Sequence, residues 1–108
     1  MAMALNWDRM RTAVRSSRVE WQRHALERMM ARDIRRSDAL EVLLSGEPIE
    51  EYPDDQPFPS ALFLGRAKTR PIHVVAAFDA ESDHAFVITV YEPDLEHFEP
   101  DFRTRRRA

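Results

Sequence analysis

The stretch from Arg70 to Asp94, RPIHVVAAFDAESDHAFVITVYEPD, limits the fold more than any other part of the chain. Two apolar, β-branched runs, Ile72 to Phe78 and Ala85 to Tyr91, are parted by a polar loop with two Asp and a Glu. That pattern predicts an antiparallel hairpin. If opposed residue numbers sum to an even value, Val74, Ala76, Phe78, Phe86, Ile88 and Val90 share one face. His73, Val75, Ala77, Val87, Thr89 and Tyr91 then share the other. A slip of one residue would turn every side chain of one strand over. The first face is the expected core face. The second gathers an imidazole, a hydroxyl and a phenol near one end of the sheet, the expected place for chemistry.

Upstream, Trp7, Met10 and Val14 have the spacing of a short amphipathic helix over Leu5 to Arg15, with Asn6 as N-cap. Val19, Glu20 and Trp21 are either briefly extended or the first turn of the next helix. From Gln22 to Asp33, Trp21, Ala25, Leu26, Met29 and Met30 fall on one side of a helix, and His24 and Arg28, four apart, flank that stripe. Ser37 is a suitable N-cap for a further helix, DALEVLLS, which Gly46 ends as a C′ glycine. Pro48 to Tyr52 reads as a short edge strand, and PDDQPFPS as a rigid loop because each proline fixes φ and removes a donor. Ser60 to Arg66 is the strand before the hairpin. Beyond it, Leu95, Phe98 and Phe102 can dock on the domain, with RTRRRA, 103–108, as a mobile tail. The expected fold is α+β: two or three N-terminal helices on one face of a three- or four-stranded antiparallel sheet, with 1–108 as a single domain.

Composition narrows the class. In 108 residues, 44% hydrophobic and 32% charged, there is room for one core and no sign of wholesale disorder. The absence of cysteine removes disulfides and thiolate metal sites and fits a cytoplasmic setting. No apolar run near the N-terminus is long enough for a signal peptide or a membrane span.

The net charge of -3 hides a segregated pattern. Nine Arg and four acids lie in Met1 to Arg36, seven acids and no base in Ser37 to Gly65, and eight acids in Asp79 to Asp101. Fifteen of the sixteen basic residues are Arg, whose rigid fork suits phosphate and carboxylate, although a GC-rich genome would give the same bias. Basic blocks brought together in space would form a face that attracts phosphate.

With only Gly46 and Gly65, no phosphate-cradling glycine loop or dinucleotide fingerprint is possible. The histidines, His24, His73, His84 and His97, lack metal-ligand spacing, and His84 and His97 read as surface residues. His24, Arg28, Arg66, His73, Thr89 and Tyr91 remain. RNA is cleaved without metal when a base takes the 2′-hydroxyl proton, a cation stabilises the phosphorane and an acid protonates the leaving oxygen. Histidine, arginine and tyrosine suit those roles. The structural alternatives stay open: His24 as a helix-flank residue, His73 as an exposed sheet residue, Tyr91 as a core aromatic with its hydroxyl at the edge.

The run HALERMMARDIRRSDALEVLLSGEPIEEYPDD, followed by FPSALFLGR, RPIHVVAAFD, ITVYEPD and FRTRR, resembles a bacterial family of small uncharacterised domains with a His-Ala-x-x-Arg-Met helix. That family is grouped with RelE-like and MqsR-like toxins, and the resemblance covers about residues 21–106. It implies a RelE-like fold, an endoribonuclease toxin needing no cofactor, and a zinc-finger antitoxin of the MqsA type as partner. His24, His73 and Tyr91 are the implied catalytic residues; Arg28, Arg66, Arg70 and Arg103 are the phosphate-binding candidates. Toxins of this kind tend to be basic, whereas the pI here is about 5.8, which leaves open RNA met on the ribosome or no RNA at all. The rival expectation is a non-catalytic protein-binding module with the same fold.

Overall fold

The computed structural model describes residues 6–107. Three helices, α1 (Asp8–Arg15), α2 (Arg23–Ala31) and α3 (Arg36–Ser45), precede most of the sheet. Its strands are β1 (Val19–Trp21), β2 (Glu47–Tyr52), β3 (Ser60–Ala67), β4 (Arg70–Asp79) and β5 (His84–Tyr91). Their order is β1-β5-β4-β3-β2. The α+β class is as expected, but the sheet is five-stranded and mixed, because β1 pairs parallel to β5. Val19 and Trp21 pack against the core while Glu20 is exposed, the alternation of a strand and not a helical turn. No helix among the described residues is long and apolar enough to cross a membrane.

The hairpin forms with two registers. Near its open end His73 opposes Tyr91, Val74 opposes Val90 and Val75 opposes Thr89, the even sum. Beyond a bulge, Ala76 opposes Val87 and Phe78 opposes Ala85. Ile88 is the extra residue, and past it the faces exchange. Val87 and Ala85 therefore enter the core, and the expected core positions of Phe86 and Ile88 are corrected to the opposite face.

The helices cover one face of the sheet. Met10, Val14, Ala25, Met29, Val42 and Leu43 pack there on Phe63, Ile72, Val74, Val87 and Val90. Met30 is 84% exposed, a correction to the apolar stripe on α2, which buries only Ala25 and Met29. The helix is nine residues long and meets the sheet along one narrow line.

Helix ends also differ in detail. Leu5 lies outside the described residues; Asn6 Oδ1 accepts from the Asp8 amide at 2.9 Å while Trp7 is the N-cap. For α3 the N-cap is Arg35 and not Ser37, and Asp38 Oδ2 accepts the Arg35 amide at 2.9 Å. Gly46 ends α3 at φ -79, outside the left-handed region of a C′ glycine. Its requirement is space, since a Cβ there would lie 2.5 Å from the carbonyl oxygens of Leu64 and Val42. The α3 C-terminus is completed by Arg11 of α1, whose guanidinium donates to Leu43 O at 2.9 Å and Gly46 O at 2.8 Å.

Candidate active site

The sheet face away from the helices carries His73 and Tyr91, joined by Glu50 and Tyr52 of β2 through strand alternation. Residues after β5 fold back over this end. Phe98 is 2% exposed, and its ring meets the His73 ring edge-on with centroids 4.6 Å apart. An isolated bridge between Phe98 and Arg105 closes the segment on itself. Leu95, expected to dock, is 53% exposed.

His73 is completely buried, a correction to its reading as an exposed sheet residue. Its Nε2 lies 2.7 Å from Phe102 O and its Nδ1 lies 3.2 Å from the Tyr91 hydroxyl. A carbonyl only accepts, so Nε2 carries the proton and Nδ1 is left to accept from Tyr91. Burial pushes the His73 pKa down, against the opposing pull of the Phe102 bond. The ring is thus held neutral with its lone pair aimed at the phenol. Burial raises the Tyr91 pKa, and the nearby charges of Arg105 and Arg28 oppose that rise.

Beside this pair, Arg105 grips Glu50 through both carboxylate oxygens, at 2.7 and 3.1 Å, and Tyr52 donates to Glu50 at 2.6 Å. Burial raises the Glu50 pKa, but the bonds from Arg105 and Tyr52 outweigh it and hold the carboxyl below its usual range. Burial, followed by the Glu50 bond, pushes the Tyr52 phenol up to about 12. Both phenols are therefore proton donors near neutral pH.

Of the candidates from sequence, His73 and Tyr91 come together, and Thr89 stands two residues along the same strand face, opposite Val75. Arg28 is the one phosphate candidate whose charge is felt at Tyr91 without being tied to a carboxylate among the described residues. His24 does not converge: it is exposed on α2, in a shallow cleft with Glu27, Arg28, Ala31 and Arg32. Arg66 is exposed and, among the described residues, reaches its own turn at Thr69 O. Arg70 is a staple, donating to Arg32 O and Asp33 O at 2.9 Å and pairing with Glu92. Arg103 pairs with Glu47. Arg103, Arg105 and Arg106, expected in a free tail, are each placed against a glutamate.

Glu50, Tyr52 and Arg105 were missed in the sequence. Glu50 and Tyr52 stand two apart on a strand, which could have placed them on one face; nothing local marks Arg105. Asp94, Glu96 and His97 offer three exposed ligand atoms within 4.8 Å of one another. Asp94 already accepts the amides of Glu96 and His97, the bonding of a turn.

Residues 21–92 match the family described as Domain of unknown function (DUF4258). The chain belongs to the DUF4258 family. No curated protein and no solved structure matches it. The DUF4258 match begins at Trp21, the last residue of β1, and takes in all of α2 and α3 and the strands β2 to β5, so it contains Glu50, Tyr52, His73 and Tyr91. It ends before the segment that supplies Phe98, Phe102 and Arg105. In this DUF4258 domain the polar cluster is thus built from the matched sheet and closed by residues outside the match.

Proposed function

We propose that this DUF4258 domain cleaves RNA without a metal, with the Tyr91 phenol meeting the substrate and the buried His73 holding the proton behind it. The observation that carries the reading is the line of hydrogen bonds from Tyr91 to His73 Nδ1 and from His73 Nε2 to Phe102 O. The RNA 2′-hydroxyl gives its proton to the Tyr91 oxygen while the Tyr91 proton passes to Nδ1. The 2′-oxygen bonds to the adjacent phosphorus, the bond from phosphorus to the 5′-oxygen breaks, and water protonates that leaving oxygen. A 2′,3′-cyclic phosphate and a 5′-hydroxyl result. The imidazolium formed keeps both N–H groups bonded and releases its proton back through the phenol. Base catalysis of this kind contributes about 10²- to 10⁴-fold. Arg28 is the cation available to phosphate; Arg105 becomes one only on leaving Glu50.

The same proposal takes the fold as RelE-like, the source as bacterial and the setting as cytoplasmic. RNA is met on the ribosome, where an acidic protein need not capture free RNA unaided, and a zinc-finger antitoxin of the MqsA type is the partner. Induced expression in a bacterial host tests it, following growth and RNA integrity for the wild type, Tyr91→Phe and His73→Gln. Arrest with cleaved RNA in the wild type alone is expected. Normal growth with intact RNA, from soluble and folded wild type, overturns the reading.

One observation favours a second reading, a non-catalytic protein-binding module. Arg9 and Arg18 pair with Asp83, Arg70 with Glu92, and Arg103, Arg105 and Arg106 with glutamates, so these side chains are dispersed among acids and not gathered on a phosphate-binding face. For that module, the same experiment gives no arrest in any variant.

A further inference from the structure

At the far end of the same sheet face lies a cavity of about 270 Å³, walled by Phe58, Pro57, Phe86 and Ile88 and floored by Ala77. The bulge at Ile88 makes this wall, because it turns Phe86 out of the core. Phe58, on the proline-rich loop, stacks on Phe86 with centroids 5.3 Å apart and planes 17° from parallel. Two carboxamides stand at the rim, Gln22 and Gln56. The Gln22 backbone amide is fixed to Val87 O at 3.1 Å, which holds its side chain beside the aromatic wall. Asp55 Oδ2 takes the Ser60 hydroxyl at 2.6 Å and its Oδ1 takes the Gln56 amide at 3.0 Å, so the loop is tied to the sheet.

Flat aromatic walls with adjustable amide donors and acceptors are the groups that hold an unpaired base, by stacking and by its edge. The Asp55 carboxylate in the lining disfavours a phosphate at this spot. Phe86 opposes Ala77 and Tyr91 opposes His73, four residue steps apart along β4, roughly 13 Å at the usual rise, on one face of the sheet. We infer that this cleft is a nucleobase subsite, which takes one unpaired base of a single strand whose backbone runs along β5 to Tyr91. The inference rests on the RNA reading above and names how that site would hold its substrate.

The probe is a single-stranded 2′-O-methyl RNA of about eight nucleotides, within the range of one small domain. It lacks the hydroxyl that cleavage requires, so affinity is read apart from chemistry. Fluorescence anisotropy is expected to show Phe58→Ala and Gln22→Ala each weakening the wild-type affinity, about tenfold for the lost stacking. An abasic strand of the same length should bind the wild type weakly and be insensitive to Phe58→Ala. The Gln22 side chain is exposed, so that variant keeps the fold if Phe58→Ala does not. No binding by the wild type, or equal affinity for the base-bearing and abasic strands, overturns the subsite. Binding that depends on Phe58, in a protein that leaves cellular RNA intact, supports the cleft and overturns the nuclease reading alone.

Discussion

His73 and Tyr91 stand directly opposite each other in the β4–β5 ladder, and 3.2 Å separates the imidazole Nδ1 from the phenol oxygen. On the RNA reading, neither residue would serve alone. The phenol, its pKa raised chiefly by burial, stays protonated near neutral pH, and the imidazole has no exposure of its own. Joined, they put a neutral proton acceptor behind a group that can meet a substrate.

The burial that makes His73 an acceptor has a measurable consequence for stability. Its folded pKa lies below the usual 6.5, with burial as the main cause. As pH falls, the unfolded chain binds that proton before the folded chain does. The His73 contribution is therefore complete above 6.5 and is lost as pH falls from there toward the folded pKa. Denaturant midpoints from about pH 7.5 to 5.5 should fall more steeply for the wild type than for His73→Gln. The other three histidines are the same in both proteins, so the difference isolates His73. Identical slopes would contradict the depressed pKa.

Glu50 holds the closing segment through Arg105, so Glu50→Gln should loosen that segment first. The pair is half in solvent, and a cost of about 1 kcal/mol is expected after allowing for screening. Amide hydrogen exchange is the sharper measurement. Exchange at Phe98, Phe102 and Arg106, whose amides are bonded to Asp94, Glu99 and His97, should quicken while β3 and β4 stay protected. Unchanged exchange at those amides would mean that Phe98 alone keeps the segment down.

Arg28 and Arg70 looked alike as phosphate candidates, and the fold separates them. Arg70→Gln removes bonds to two backbone carbonyls and to Glu92, and should lower stability by about 1 kcal/mol. Arg28→Gln should leave the melting temperature within the scatter of surface substitutions. On the RNA reading it should weaken binding and reduce the salt dependence by about 0.7 in the log–log slope, the signature of one lost phosphate contact. A melting temperature lowered equally by both substitutions would remove the distinction.

How much of this was legible depended on whether the cause was local. Strand alternation with an even register put His73 and Tyr91 on one face, and the run before Gly46 marked a helix. The bulge at Ile88 has no such mark: the run AFVITVY contains neither glycine nor proline, and a slipped register reads as well as a regular one. The parallel pairing of Val19 with Ala85 joins the two ends of the fold, and three residues carry too little periodicity to announce it. Arg105 reads as one more charge in RTRRRA until β2 supplies Glu50 and Tyr52. Its role is fixed by a partner far away in the chain.

Met29 and Met30 are adjacent in sequence and opposite in burial, 3% against 84% exposed, which makes α2 its own control. Met29→Ala should cost about 2–4 kcal/mol, the usual range for emptying a buried methionine site. Met30→Gln should be neutral within about 0.5 kcal/mol. Comparable losses at both positions would mean that α2 is rotated from the arrangement described here.

Gly46 offers the strictest test of the α3–β3 packing, because two explanations of the same glycine predict opposite results. A left-handed C′ position tolerates asparagine better than alanine. Here the backbone is extended, and any Cβ would press on the carbonyl oxygens of Leu64 and Val42, each 2.5 Å away. Those atoms are backbone, fixed by the β2–β3 ladder and the last turn of α3, and cannot give way as a flexible side chain would. Gly46→Ala and Gly46→Asn should therefore both destabilise by about 1–3 kcal/mol, the usual cost of overpacking, with asparagine no better than alanine. The carbonyl of Gly46 also receives Arg11, so α1 should loosen with it, and hydrogen exchange in α1 should rise in either variant. An asparagine variant as stable as the wild type would restore the left-handed cap and displace the close approach of α3 to β3.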